Sequence, residues 1–380
     1  MRILIAPQEF KGSLSAGEAA RAIAGGVRAA MPDAQIDEAP MSDGGAGLVD
    51  AMLAARGGER IETEVRDPLL RPVRAGWALL SDGTAAIEMA AASGLVLLSA
   101  EERDPLIATT YGTGELIRAA LDRGCRRIIV GVGGSATVDA GTGAMQVLGA
   151  RLLDASGDDL PSGGAALARL ARIDLTGVDA RLASAEIRVA SDVTNTLCGP
   201  QGAAMIFGPQ KGASDQDVRA LDAALARFAE IALRDTGIDL LTMPGSGAAG
   251  GLGAGLAVVA GATIEPGFAI VAEAIGLDRR IAAADVVITG EGRLDAQTAF
   301  GKTAAGVARM ARAHGRRIGV IAGSVRADFG QADSPFDVIV SAAPDGVPVE
   351  EAMREAGSLV RAAAVRLIEA LGARNQPDRR

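Results

Sequence analysis

The sequence predicts an α/β protein: a discontinuous, doubly wound parallel-sheet domain made from both chain ends, with a second α/β domain inserted between them. Three observations predict it. Residues 1–40 read as strand, helix, strand; roughly the last hundred residues repeat that grammar; and the stretch between them changes to alternating segments with hairpin-type turns.

Taken in order, residues 3–6 are a short apolar strand, 15–31 an Ala-rich helix with Ser15 as its N-cap, and 35–40 a second strand. Segments 60–66, 73–80 and 85–89 read as antiparallel strands, turning at Asp67-Pro68 and Ser81-Asp82-Gly83. Helices follow at 114–123 and 215–235, with a buried strand at 187–191. The C-terminal part gives a strand at 285–289, a helix at 304–314, strands at 317–322 and 337–341, and a helix at 349–371; residues 374–380 form a solvated tail. Neither chain end has enough strands for a stable sheet, but together they supply five. Hence one domain is expected from 1–59 plus 284–380, with 60–283 inserted. Ligands of such folds gather at the carboxyl ends of strands and between domains, so a cleft there is the expected site.

Composition narrows the function. Of the 380 residues 49% are hydrophobic, 22% charged and only 2% aromatic, with a formal net charge of −9. So few aromatic rings disfavour base stacking, and the acidic balance shows no basic patch for nucleic acid. An anionic substrate would need a distinct positive pocket in a negative field. Cys125 and Cys198 lie far apart without metal-site spacing and read as small apolar residues. The only histidine, His314, sits near a helix end beside Gly315 as a cap, which excludes a His-dependent triad or a His-rich zinc site. No charged leader precedes an apolar run, and the run 252–262 is too short and Gly-rich to span a bilayer, so a cytoplasmic protein is expected.

The most informative stretch is Gly131-Val132-Gly133-Gly134-Ser135-Ala136-Thr137, directly after the apolar run 127–130. A strand ending in small residues leaves main-chain N–H groups open to a phosphate, although a tight turn relieving crowding has the same sequence. Asp43-Gly44-Gly45, Gly112-Thr113-Gly114-Glu115, Gly250-Gly251-Leu252-Gly253 and Gly290-Glu291-Gly292-Arg293 read as further sharp, polar-rimmed turns, the pattern expected around a polyanion. Two nucleotide signatures fail. Gly301-Lys302-Thr303 ends like a P-loop, but Ala296 stands where its first glycine belongs. Gly245-Ser246-Gly247-Ala248-Ala249-Gly250 fits GxGxxG but lacks the first strand and the later acidic residue, and reads as a glycine-rich wall against a helix.

Several polar residues then stand out. Lys11, with Ser13 beside it, follows the first strand and reads as an anion binder or a solvated loop residue. Arg293 is placed to clamp a carboxylate or phosphate, with an ion pair to Glu291 as the alternative. Asp192 closes the strand 187–191, and Asn195 three residues later gives a carboxylate and a neutral oxygen on one turn, suited to Mg²⁺ or to a hydroxyl awaiting deprotonation. Asp43 and Asp139 are weaker candidates of that kind. Glu88 requires a partner or a ligand if buried. Glu115 suits the positive end of a helix.

Together these stretches resemble the bacterial type I glycerate kinases, the family of glycerate 2-kinase, nearly end to end. The resemblance rests on Ile5-Ala6-Pro7, Phe10-Lys11-Gly12-Ser13-Leu14-Ser15, Asp43-Gly44-Gly45, the run 87–95, Tyr111-Gly112-Thr113-Gly114-Glu115-Leu116 and Gly133-Gly134-Ser135-Ala136-Thr137. It continues through Asp192-Val193-Thr194-Asn195, the run 207–213, and Gly290-Glu291-Gly292-Arg293-Leu294-Asp295 with Gly301-Lys302. It implies a flavodoxin-like domain joined to a second α/β domain, and transfer of the ATP γ-phosphoryl group to D-glycerate with Mg²⁺, giving 2-phosphoglycerate. The resemblance and the residue chemistry together suggest the following assignments. Asp192, Lys11 and Arg293 are catalytic; Ser13, Asp43, Gly44, Gly45 and Glu88 bind the acid. Gly133, Gly134, Ser135, Thr137 and Lys302 hold nucleotide, and Asp192, Asn195 and Asp295 hold the metal. The chain departs from the family at Gln8-Glu9, usually Asp-Ser, at Ser42, usually Ala, and at Val138, usually Asn. Those departures leave room for a kinase of a related hydroxy acid or a non-catalytic acid-binding relative; the glycine hexad alone suggests a nicotinamide-dependent dehydrogenase. A homodimer is compatible with the sequence, which does not fix the assembly.

Overall fold

A computed structural model describes residues 1–294, 303–326, 329, 334–344 and 346–373; Asp295, Lys302 and the tail 374–380 lie outside the described residues. The chain divides into two compact units, one of Met1–Asp43, Asp50–Ala55 and Phe268–Arg380, the other of Gly44–Val49 and Arg56–Gly267. Residues 268–283 thus fall with the chain ends rather than with the inserted segment. The cause is the helix Leu277–Ala283, whose Arg280 makes two hydrogen bonds, of 2.5 and 3.0 Å, to the carboxylate of Asp37.

Among the described residues the first unit holds five strands, all parallel, in the spatial order Gln35–Glu38, Arg2–Ile5, Val286–Leu294, Arg317–Val325, Val338–Ser341. Numbered along the chain this is 2-1-3-4-5, the flavodoxin-like order, which reverses between the first and third strands. Ile3, Ile5, Ile288 and Ile321 pack under the helices Ala16–Ala30 and Ala356–Ala373, while Leu4 points to the other face, as period-two alternation requires. Ser15 caps its helix in a full capping box with Glu18.

The second unit holds a six-stranded mixed sheet in the order Thr263–Glu265, Glu186–Ala190, Arg127–Gly131, Thr84–Glu88, Pro72–Leu80, Gly58–Arg66. The first four strands run parallel; the last two are antiparallel. Thr84–Glu88 was expected as an antiparallel strand, but it pairs parallel with Arg127–Gly131 on its other edge. The long helix Asp215–Thr236 begins on a Ser214–Asp217 capping box and ends on left-handed Gly237. The hairpin Arg151–Leu153 with Arg172–Asp174, the strand Thr263–Glu265 and the helix Leu252–Ala260 were not apparent from periodicity. Among the described residues no helix is long and apolar enough to cross a membrane.

Candidate active site

Three strand ends of the second unit share one edge: Glu88 pairs in register with Gly131, and Gly131 with Ala190. The glycine turn sits there. A Cβ on Gly131 would meet Gly44 O at 2.4 Å, and one on Gly133 would meet Gly45 Cα at 2.6 Å. Gly44 and Gly45 therefore lie directly against the turn, which brings two of the expected motifs together. After it, Leu95 N–H donates to Gly134 O and Ala136 N–H to Ser93 O, fixing the backbone from both sides. Among the described residues, the main-chain N–H groups of Gly133, Gly134 and Ser135 make no hydrogen bond. Gly134 is exposed, Gly133 half-buried and Ser135 buried, and donors left open in series along such a rim are what an anion cradle requires.

Beneath this turn lies Lys211, 2% exposed and absent from the expected site. Its Nζ donates to Ser135 Oγ and to Thr137 O, each at 2.7 Å. Burial lowers its pKa to about 7, opposed by the field of Asp139. Asp139 is itself fully buried, and accepts from the N–H groups of Thr110, Gly141 and Gly143 and from the Thr110 hydroxyl. Burial pushes its carboxyl up while those donors pull it down. With its oxygens so occupied, Asp139 is a brace for the turn rather than the metal or base candidate expected. Val138 packs in the apolar core, so the departure there does not alter the face of the cradle. Thr137 is buried, and its Oγ1 has no partner among the described residues.

Asp192 is exposed just past Glu186–Ala190, and its Oδ1 accepts from Gly267 N–H at 2.7 Å. Asn195 donates its side-chain amide to Gln201 O at 2.9 Å. The two are tied to different segments, and among the described residues no group of three His, Cys, Asp or Glu side chains gathers to hold a metal. Among the described residues no closed protein cage for Mg²⁺ forms; one exposed carboxylate plus ligand phosphates would suit the ion. Glu88 Oε1 accepts from Val49 N–H at 2.9 Å, the protein partner its position demanded, which removes the reason for assigning it to the acid. The hexad 245–250 is a wall, as its structural reading held. Gly247 N–H donates to Asn195 O, Ala140 N–H donates to Gly250 O, and a Cβ on Gly250 would meet Thr137 O at 2.0 Å.

In the first unit, Lys11 and Arg293 lie where the strand order reverses. The loop Phe10–Leu14 closes on itself, with Phe10 N–H to Leu14 O and Leu14 N–H to Phe10 O, and Gly12 takes a φ of +78° at its tip. A Cβ on Gly292 would lie 3.2 Å from Lys11 N, so the segments carrying Lys11 and Arg293 touch, and both residues are exposed. Burial and the neighbouring Asp43 push the Glu9 carboxyl up, and Lys11 pulls it down. Ser13 Oγ donates to Phe10 O at 2.8 Å, so its proton is spent inside the loop. It staples the loop instead of donating to an anion.

Two expected turns are not turns. Gly112 and Gly114 lie inside the helix Tyr111–Asp122, where Cβ atoms would meet Arg66 O at 1.8 Å and Ala144 Cα at 2.7 Å. Their role is close approach, and Glu115 there accepts from Arg66 N–H at 2.7 Å. Gly290 and Gly292 lie within the strand Val286–Leu294, paired onward to Val325. His314 pairs through Nε2 with Asp278 at 2.7 Å. One signal could have exposed Lys211: lysine occurs in this chain only at 11, 211 and 302, against 38 basic residues in all. Where arginine serves everywhere else, a retained lysine marks a place needing a compact, titratable charge.

Comparison with known proteins adds the following. The sequence model of the glycerate kinase family matches residues 3–372. A glycerate kinase of Bacillus subtilis (strain 168) is 47% identical over 358 residues, 94% of each chain. A glycerate 2-kinase of Escherichia coli (strain K12) is 48% identical over 347 residues, 90% of this chain and 91% of that one. A crystal structure from Salmonella typhimurium LT2, described as that of a "putative glycerate kinase 2", superposes with a TM-score of 0.89 at 46% identity, covering 99% of this chain and 100% of the other.

Proposed function

The chain belongs to the glycerate kinase family, and on that premise we propose that it transfers the γ-phosphoryl group of ATP to the 2-hydroxyl of D-glycerate, giving 2-phosphoglycerate and ADP. The observation that carries the reading is the open row of N–H donors on Gly133, Gly134 and Ser135 at the end of a parallel strand. A triphosphate oxygen fits such a row without help from a P-loop. Lys302 is proposed to add a cation to the nucleotide.

Phosphoryl transfer asks for positioning and charge neutralisation more than for covalent chemistry. Lys11 and Arg293 are proposed to bind the glycerate carboxylate and steady the transferring group, with Asp43, Gly44 and Gly45 completing the acid site. Their location at the reversal of strand order supports this, because the strand ends there diverge and leave a crevice. Asp192, held through Oδ1 by Gly267 N–H, would orient the acceptor hydroxyl and take its proton. Magnesium, when bound, would neutralise the phosphates; Asp192 is the described carboxylate proposed to reach it, and Asn195 and Asp295 are proposed as further ligands. A cytoplasmic location and a homodimer belong to the proposal, and are read by fractionation and light scattering.

The test is a coupled assay of ADP release over a panel of hydroxy acids, with phosphorus NMR of the product. D-Glycerate should give ADP and the 2-phosphate. Turnover confined to another hydroxy acid, or ATP binding without turnover of any, would reject the assignment.

A further inference from the structure

An ammonium donates only, so Ser135 Oγ must be the acceptor in its 2.7 Å contact with Lys211 Nζ. The Ser135 hydroxyl proton is then directed away from the lysine, and among the described residues it meets no acceptor. The second Lys211 contact, to Thr137 O, pins the far side of the same turn. Asp139 is the charged group acting on the ammonium, and its oxygens are filled by other donors. Thr137 Oγ1, in the same turn, is enclosed and without a partner among the described residues.

We infer that Lys211 is a positioning residue of the nucleotide cradle, holding the Ser135 hydroxyl as a further donor to the phosphate beside the main-chain N–H groups. The inference rests on the reading of that turn as the ATP phosphate site. Loss of the ammonium proton lets Nζ accept from Ser135, which turns the hydroxyl inward and takes a donor from the phosphate. A lysine that merely anchored the segment Pro209–Lys211 would affect stability and leave nucleotide affinity unchanged.

The experiment measures KM for ATP and for glycerate, together with direct ATP binding, in the full-length wild type, Lys211→Met, Ser135→Ala and the double variant. Each single variant should raise KM for ATP about tenfold, the scale of one charge-assisted hydrogen bond. The double variant should cost no more than either alone, because Lys211 acts only through the hydroxyl that Ser135→Ala removes. KM for glycerate should stay within about twofold, as expected when only nucleotide contacts are lost. In the wild type KM for ATP should rise as pH climbs from about 7 to 9, and in Lys211→Met this dependence should vanish. Additive effects, an equal rise in both KM values, or an unchanged KM for ATP would overturn the role. Should Lys211→Met fail to fold, Ser135→Ala and the wild-type pH profile decide, and a profile that is flat in the wild type overturns it. Absence of saturable ATP binding in the wild type would instead remove the parent reading, and it is seen before any variant is made.

Discussion

The Lys211 ammonium titrates at about 7 in the folded chain against an ordinary value of 10.5, because burial strips its water. That gap amounts to about 5 kcal/mol against the charged form in the folded protein. Below pH 7 both folded and unfolded chains carry the proton, so the whole penalty is present and stability from this group does not change with pH. Above pH 7 the folded chain releases the proton while the unfolded chain keeps it to about 10.5. Folding stability then rises by about 1.4 kcal/mol per pH unit relative to a chain that cannot titrate there. Lys211→Met is that chain. It also removes the contacts of Nζ with Ser135 Oγ and Thr137 O, an offset nearly independent of pH once the wild-type lysine is neutral. Only the slope matters. Urea unfolding of both proteins at pH 7.5, 8.5 and 9.5 should show the wild type gaining on the variant by about 2 to 3 kcal/mol across the range. A difference constant with pH would mean the lysine is not held near-neutral by its surroundings. The account of its buried setting would then be wrong.

Three further outcomes are expected. Asp192→Asn keeps an oxygen for Gly267 N–H but loses the base, so kcat should fall by about two or more orders of magnitude with thermal stability intact; near-normal turnover removes Asp192 from that role. Lys11→Ala and Arg293→Ala should each raise KM for glycerate about tenfold or more in steady-state kinetics while leaving ATP binding by calorimetry unchanged, and the reverse pattern would exchange the proposed sites. Gly25→Ala and Gly26→Ala share one helix and one propensity gain of about 1 kcal/mol. Yet a Cβ on Gly25 meets only the Arg361 side chain at 3.5 Å, whereas one on Gly26 meets Arg361 O at 2.2 Å. The first should raise Tm and the second lower it, through about 1 to 3 kcal/mol of overpacking; shifts of the same sign would refute the helix contact.

What the sequence revealed, and what it hid, follows from the range of each interaction. The strands Arg2–Ile5, Arg127–Gly131 and Glu186–Ala190 were legible because a short apolar run between breakers has few other fates. The Ser15 cap was legible because it is closed within four residues by Glu18. Glycine was ambiguous for the opposite reason. Gly112 and Gly133 are the same letter in similar company, but one lets a helix touch Arg66 O and the other lets a turn touch Gly45, and both partners are distant in sequence. The short strand Thr263–Glu265 owes its existence to an edge of Glu186–Ala190 left open for it, not to its own three residues. Lys211 shows the limit most sharply. In Gly208-Pro209-Gln210-Lys211-Gly212 it has the local features of a solvated loop lysine, and Gly212, at a φ of +100°, lies where a Cβ would meet Arg103 O at 2.2 Å, a neighbour that no nearby residue announces. What local reading lacked, composition could have supplied: a chain that writes its positive charge as arginine nearly everywhere spends lysine at three places. Two of these were singled out from their motifs, and the third is enclosed against the turn that such a charge would serve. Scarcity of one ionisable residue type is therefore a physical clue, because arginine cannot give up its proton at any pH where the protein is folded and lysine can.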